Sequence, residues 1–331
     1  MKKDEFRINT KRMRKIIKCV GICIVLCVVL IIWMRINDMP REEKNFKSKV
    51  DSIPLEKNEM QNIEELINKL DSANLWQDES LLYEEGTTLE TRILTPEGYK
   101  RENVKEGTFD DFIRTYPLRE HASNVMLYDG SKKGNQSAHV AIFDMDLSTR
   151  DLQQCADSII RMYAEYFYST EQTDKIKFHF VDGFLCEYTK WRDGYRVQFQ
   201  DNNTKWVKSR EYDDSYEIFQ KYLDMVFAYA STLSLEEESD TIDIESLEVG
   251  DIWLRSGSPG HVVMVVDVCE NEEGEKAFLL AQGYMPAQQF HILKNPQSEN
   301  NPWYYEKDIS YPFYTPEYSF QEGQLKRLFY D

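Results

Sequence analysis

The chain has 331 residues, 41% of them hydrophobic and 13% aromatic, which is enough apolar side chain for one large or two modest domains. Its formal charge is −18, and because the first 35 residues carry +7 the remainder carries −25. So acidic a body excludes nucleic acid as a partner, since that needs a basic footprint, and favours neutral or cationic ligands.

Residues 1–15 form a basic tail. Cys19 to Met34 follows as an uninterrupted apolar run, CVGICIVLCVVLIIWM, and with Ile16 and Ile17 it makes residues 16–35 long enough to span a bilayer as one helix. The excess of Lys and Arg before the run orients the N-terminus to the cytoplasm and everything after about residue 40 to the outside. No small-x-small site follows the run, so the segment reads as an uncleaved signal anchor of a single-pass cell-membrane protein. Residues 36–60 are polar without a period and read as a stalk, and residues 61–331 as an extracytoplasmic domain.

Within that domain the spacing predicts helices over 62–75, 109–115, 151–168 and 212–233, with an acidic loop at 236–240. Strands are expected over 87–99, 125–128, 140–145, 176–180, 185–188 and 195–199. Gly250 to Val268, GDIWLRSGSPGHVVMVVDV, reads as a hairpin with His261 at the head of its second strand, and Lys276 to Gln282 as the return strand. A Tyr- and Pro-rich tail runs from 302 to 316. Helices and strands mix without strict alternation, which predicts an α+β domain with a mainly antiparallel sheet.

Three residues form a candidate catalytic set. Cys155 falls near the start of the 151–168 helix, after a Ser148/Asp151 capping pattern, where free amides favour a thiolate and can hold an oxyanion. The alternative is a small core residue sharing a face with Leu152, Ile159, Tyr163 and Tyr166. His261 is placed as a base at the mouth of a strand. A turn centred near 272 or 273 sets position 282 opposite about 263, making Gln282 a same-face neighbour able to hold His261 in one tautomer. His291 is an alternative third member, and Asp267 a more distant one. Gln153, Gln154 and Trp303 are candidates for the oxyanion site and substrate groove, the last together with Trp191, Tyr195, Trp206, Tyr304 and Tyr305, all of which equally suit core packing.

Three of the six cysteines lie in the apolar run, leaving Cys155, Cys186 and Cys269 outside it, so at least one thiol is unpaired. Neither histidine pairs at helical spacing nor a calcium loop is present, and no metal or cofactor is expected; Asp144 and Asp146 are the nearest approach to a metal pair, and Asp157 is expected to pair with Arg161.

A cysteine at a helix start, a later histidine heading an apolar strand, and a polar residue on the next strand resemble the papain-like cell-wall peptidases of the NlpC/P60 type and their CHAP relatives. The resemblance implies a helix bearing Cys155 packed on an antiparallel sheet bearing His261, with Cys155 as nucleophile, His261 as base and Gln282 as orienter. It also implies hydrolysis of peptide or amide bonds in the cell envelope, with peptidoglycan as substrate. A non-catalytic envelope-binding module, or an acyltransferase using the same pair, remain open. Over a longer span, DLQQCADSIIRMYAEYFY, YLDMVFAYASTLSL, GDIW…SPGHVVMVVDV and FLLAQGYMPAQQFHIL…NPWY are similar to the bacterial envelope family called domain of unknown function 4846, which implies no activity.

Overall fold

The computed structural model describes residues 80–200 and 203–330. The basic tail, the anchor over 16–35, the stalk and the helix expected over 62–75 lie outside the described residues. Among the described residues no helix is long and apolar enough to cross a membrane. The described residues form a compact α+β unit.

The sheet at its centre is built from β1 (His139–Ile142), β6 (Ser239–Thr241), β7 (Ile252–Arg255), β8 (His261–Glu270), β9 (Lys276–Gln282), β10 (His291–Leu293) and β14 (Leu325–Leu328). Their order is β1-β10-β9-β8-β7-β14-β6, and every neighbouring pair is antiparallel. The short β11 (Tyr304–Tyr305) also pairs with β9, while β2 (Lys177–His179) with β3 (Leu185–Glu187) and β4 (Tyr195–Gln200) with β5 (Asn203–Lys208) form two separate hairpins flanking the short α4 (Tyr188–Arg192). The expected hairpin stands as read: Arg255 lies opposite His261 and Ile252 opposite Met264.

Strand β8 is Val-rich because it is covered on both faces. Val262, Met264 and Val266 pack into one core with α2 (Phe109–Thr115), α3 (Cys155–Ser169) and α5 (Tyr216–Tyr229). Val263 and Val265 pack on the other side with Trp253, Phe278, Leu280, Phe313 and Phe320. This second layer is closed by the small hairpin of β12 (Phe313–Tyr314) and β13 (Ser319–Phe320). His261 shares the face of Val263, so its ring points toward that hairpin.

A bulge between Val265 and Asp267 interrupts the β8–β9 register. Counting back from the Glu270–Lys276 pair without it, Gln282 would oppose Met264 and face the helices. With the extra residue, Ala281 pairs with Met264, and Gln282 comes opposite Val263, on the His261 face. The same bulge turns Asp267 toward the helical side, where Arg101 Nε (2.6 Å) and Arg114 Nε (2.8 Å) take one oxygen each.

Several expected elements differ. Thr88 and Thr91 cap each other and start a one-turn helix, α1 (Leu89–Arg92), where a strand over 87–99 was expected. The 125–128 strand is reduced to isolated bridges from Met126 to Lys132 and Leu127 to Gln288. The helix expected over 212–233 divides: α5 stops at Tyr229, and Ser231, whose side chain accepts from the Leu233 amide, begins α6 (Thr232–Glu237). That second helix and β6 occupy the stretch read as an acidic loop. Cys155, Cys186 and Cys269 are all free and buried.

Candidate active site

Helix α3 begins at Cys155 itself, four residues later than expected. Asp151 does not cap it, because its carboxylate accepts from the Ala287 amide (2.7 Å) and from Gln154 Nε2 (3.2 Å), which ties the preceding link to the loop after β9. Gln154 takes the cap position instead, with its backbone N–H donating to Asp157 Oδ2 at 3.0 Å. Asp157 is therefore spent on the cap, and Arg161 goes to Gln153 Oε1 (2.6 Å), Glu165 Oε1 (3.2 Å) and the Asp146 carbonyl. As the first helical residue, Cys155 has a backbone N–H with no carbonyl one turn earlier to receive it.

The start of α3 sits where β9 leaves the sheet. Gly283 permits this approach, since a Cβ there would come within 2.2 Å of Ser158 Oγ and 2.7 Å of the Gln154 carbonyl. The Cys155 sulfur consequently lies at the backbone N–H of Val262, the residue after His261. Cysteine and histidine thus meet at one strand end, the thiol beside the β8 backbone and the imidazole on the far face.

His261 is 2% exposed and Gln282 fully buried. His261 Nε2 lies 2.8 Å from Gln282 Oε1, and Gln282 Nε2 lies 2.7 Å from Glu317 Oε2. The carboxylate can only accept, so the amide nitrogen must face Glu317 and the amide oxygen must face His261. His261 Nε2 is then the donor, and Nδ1 keeps its lone pair. Tyr284 and Tyr318 flank the ring, each with its centroid at 4.7 Å. Beyond Gln282, Glu317 forms an ion pair with Lys133 and accepts from Asn135 Nδ2 at 3.1 Å. An open cavity between Arg255 and the 314–319 turn adjoins this face.

Burial dominates the electrostatics. It pushes the Cys155 thiol up to about 11, helped by the nearby Asp157 charge and opposed by the Ala156 and Val262 amides. It pushes His261 down to about 4, opposed by the Gln282 bond and the Glu317 charge. The resting pair is a neutral thiol and a neutral imidazole, and no hydrogen bond joins them.

The structure therefore joins His261 to Gln282 and places Cys155 at the neighbouring Val262 amide, and it separates the other sequence candidates from them. Gln153 is buried against Met145 and Arg161 and does not reach the thiol. Gln154 supplies a cap, its side chain turned to Asp151. Trp303 is fully buried, donating Nε1 to the Leu94 carbonyl (2.8 Å) under the Arg101 guanidinium, beside the Phe278 end of β9. Phe278 is four residues from Gln282, roughly 13 Å at strand rise, so Trp303 is core and not groove. His291 pairs with Gln282 across β9–β10 and bonds to no atom of His261. Asp267 is held by two arginines at the far end of β8. Asp144 and Asp146 both pair with Arg119.

Sequence reasoning missed Lys133, Tyr284, Glu317 and Tyr318. Only Tyr284, two residues beyond Gln282, carried a usable signal; the others arrive from loops whose placement no periodicity records.

A family model described as Domain of unknown function (4846) matches residues 89–327. No curated protein and no solved structure matches the chain.

Proposed function

The chain belongs to the family described as Domain of unknown function (4846), and from the geometry of its site we propose that it is a cysteine hydrolase of peptide or amide bonds with a papain-like core. The observation that carries this reading is the His261 Nε2 to Gln282 Oε1 bond at 2.8 Å beside a thiol at a helix start. It leaves His261 Nδ1 free as the nitrogen able to take the thiol proton.

In the proposed reaction His261 Nδ1 accepts the Cys155 proton as sulfur attacks the substrate carbonyl. The oxyanion is received by the Cys155 backbone N–H at the helix start. The C–N bond breaks as His261 returns its proton to the departing amine, leaving a thioester. Water, deprotonated by His261, then releases the carboxylic acid and the thiol. An amine or alcohol in place of water would make the same site an acyltransferase. The apolar run over 16–35 and its basic flank support a single-pass membrane anchor with this domain outside the cell, and hence peptidoglycan stem peptides as the substrate class.

A second reading, a non-catalytic envelope-binding module, is favoured by the raised thiol pKa and by the lack of a bond between Cys155 and His261. Full-length protein incubated with purified peptidoglycan or its stem peptides separates the two. Hydrolysis that Cys155→Ala abolishes supports the enzyme. Hydrolysis unchanged in that variant, or binding without turnover that survives Cys155→Ser, overturns it.

A further inference from the structure

We propose that Glu317 is a positioning residue that sets which imidazole nitrogen of His261 carries the proton, acting through Gln282. The inference rests on the reading of Cys155 and His261 as the reacting pair, but its test does not.

A glutamine amide has nearly the same shape in either orientation, and turned the other way it would present NH2 to His261. His261 Nε2 would then have to accept, and the proton would move to Nδ1, leaving no lone pair for the thiol. Buried Gln282 has no solvent to arbitrate between the two states. Glu317 does so, because its acceptor-only carboxylate lies 2.7 Å from Gln282 Nε2. His291 sides with it. His291 Nδ1 lies 2.8 Å from the Gln289 carbonyl and so carries the proton, which makes Nε2, 3.4 Å from Gln282 Nε2, an acceptor. At that distance the imidazole is the weaker claimant on the amide.

The carboxylate is itself held against rotation. Lys133 pairs with its Oε2, and Asn135 Nδ2 donates to its Oε1 at 3.1 Å. Lys133 Nζ also lies 3.3 Å from His291 Nε2, so the ammonium contacts both groups that face the Gln282 amide nitrogen. Glu317 lies in the turn joining β12 to β13, next to Tyr318, whose ring flanks His261. One turn therefore both covers the histidine and orders its proton.

The test uses full-length protein labelled with nitrogen-15 in its histidines, with His261 assigned by the signals lost in His261→Asn. In the wild type His261 shows a protonated Nε2 and an unprotonated Nδ1. Glu317→Ala is expected to give a mixture of tautomers at His261, and Glu317→Gln, which keeps an acceptor, to retain the wild-type form. Should Glu317→Ala fail to fold around an unpaired Lys133, Lys133→Met/Glu317→Ala removes both charges and is expected to show the same mixture. Wild-type His261 signals in the folded alanine variant, single or double, overturn the proposal. Loss of the hydrolase reading through Cys155→Ala would leave these spectra untouched, so the two failures are distinguishable.

Discussion

Two residues at the site are held in the wrong charge state for an ion pair, and this makes its resting condition testable. The thiol at about 11 and the imidazole at about 4 are separated by several pK units, and each unit corresponds to about 1.4 kcal/mol against forming thiolate and imidazolium. Cys155 is therefore expected to react with iodoacetamide more slowly at pH 8 than the same residue in unfolded chain, with the rate climbing only toward pH 11. A native rate that saturates near neutral pH would show an activated thiol instead. In the proposed reaction, bound substrate has to offset that gap. Removing the orienter should tell as well: Gln282→Ala is expected to lower kcat by about 10²-fold with a smaller change in KM, as losing a base's orientation does.

The lowered imidazole pKa also sets an acid limit on stability. Below pH 6.5 the unfolded chain binds a proton that folded His261 refuses until about pH 4, so stability falls as pH drops through that window. Burial lowers His291 in the same direction. Denaturant unfolding of His261→Asn should show a flatter pH dependence between 6.5 and 4 than the wild type. An identical slope would mean that His261 is charged in the fold.

At the scale of elements, the bulge in β8 sets Gln282 on the His261 face, and the late start of α3 sets Cys155 at the Val262 amide. Neither is a matter of propensity. The bulge adds one residue to a run of valines, which carries no mark of it, yet it decides whether Gln282 faces His261 or the helices. The hairpin and its return strand were legible because turn residues and apolar runs are strong signals, and so Gln282 could be found. The expected start of α3 is too early because Asp151, the partner of the Ser148 capping pattern, is claimed by Ala287 from a distant loop. Gly283 offers the sharpest test of this docking. Gly283→Ala places a methyl 2.2 Å from Ser158 Oγ, so the start of α3 must shift, costing about 1–3 kcal/mol and displacing Cys155 from Val262. Thermal unfolding and Cys155 alkylation read the two effects separately, and a variant unchanged in both would show that the contact is not needed.

Across the whole molecule, the stretch carrying Arg101 and Arg114 is tied to β8 through one buried carboxylate, alongside the backbone bridge from Lys100 to Glu270. Asp267 receives Arg101 and Arg114 with no exposure of its own, and the arginines also donate to the Ile93, Glu102 and Val268 carbonyls. Asp267→Ala leaves two cations without their partner and is expected to cost about 3–5 kcal/mol in denaturant unfolding, the range for half of a buried pair. A loss under 1 kcal/mol would place the arginines in solvent. The α+β class and the antiparallel sheet follow from composition and period. The network around Gln282 does not, because Lys133, Glu317 and Tyr318 meet only after the sheet has closed, and nothing local in their sequence anticipates it.

The order of assembly gives the site a timetable. Strand β14 lies between β6 and β7, and the β12–β13 hairpin that covers His261 immediately precedes it along the chain. While residues 313–328 are still being synthesised, β7 lacks a neighbour, His261 is uncovered and Gln282 lacks the Glu317 acceptor. A nascent chain therefore carries Cys155 long before His261 is covered by Tyr318 and Gln282 is held by Glu317.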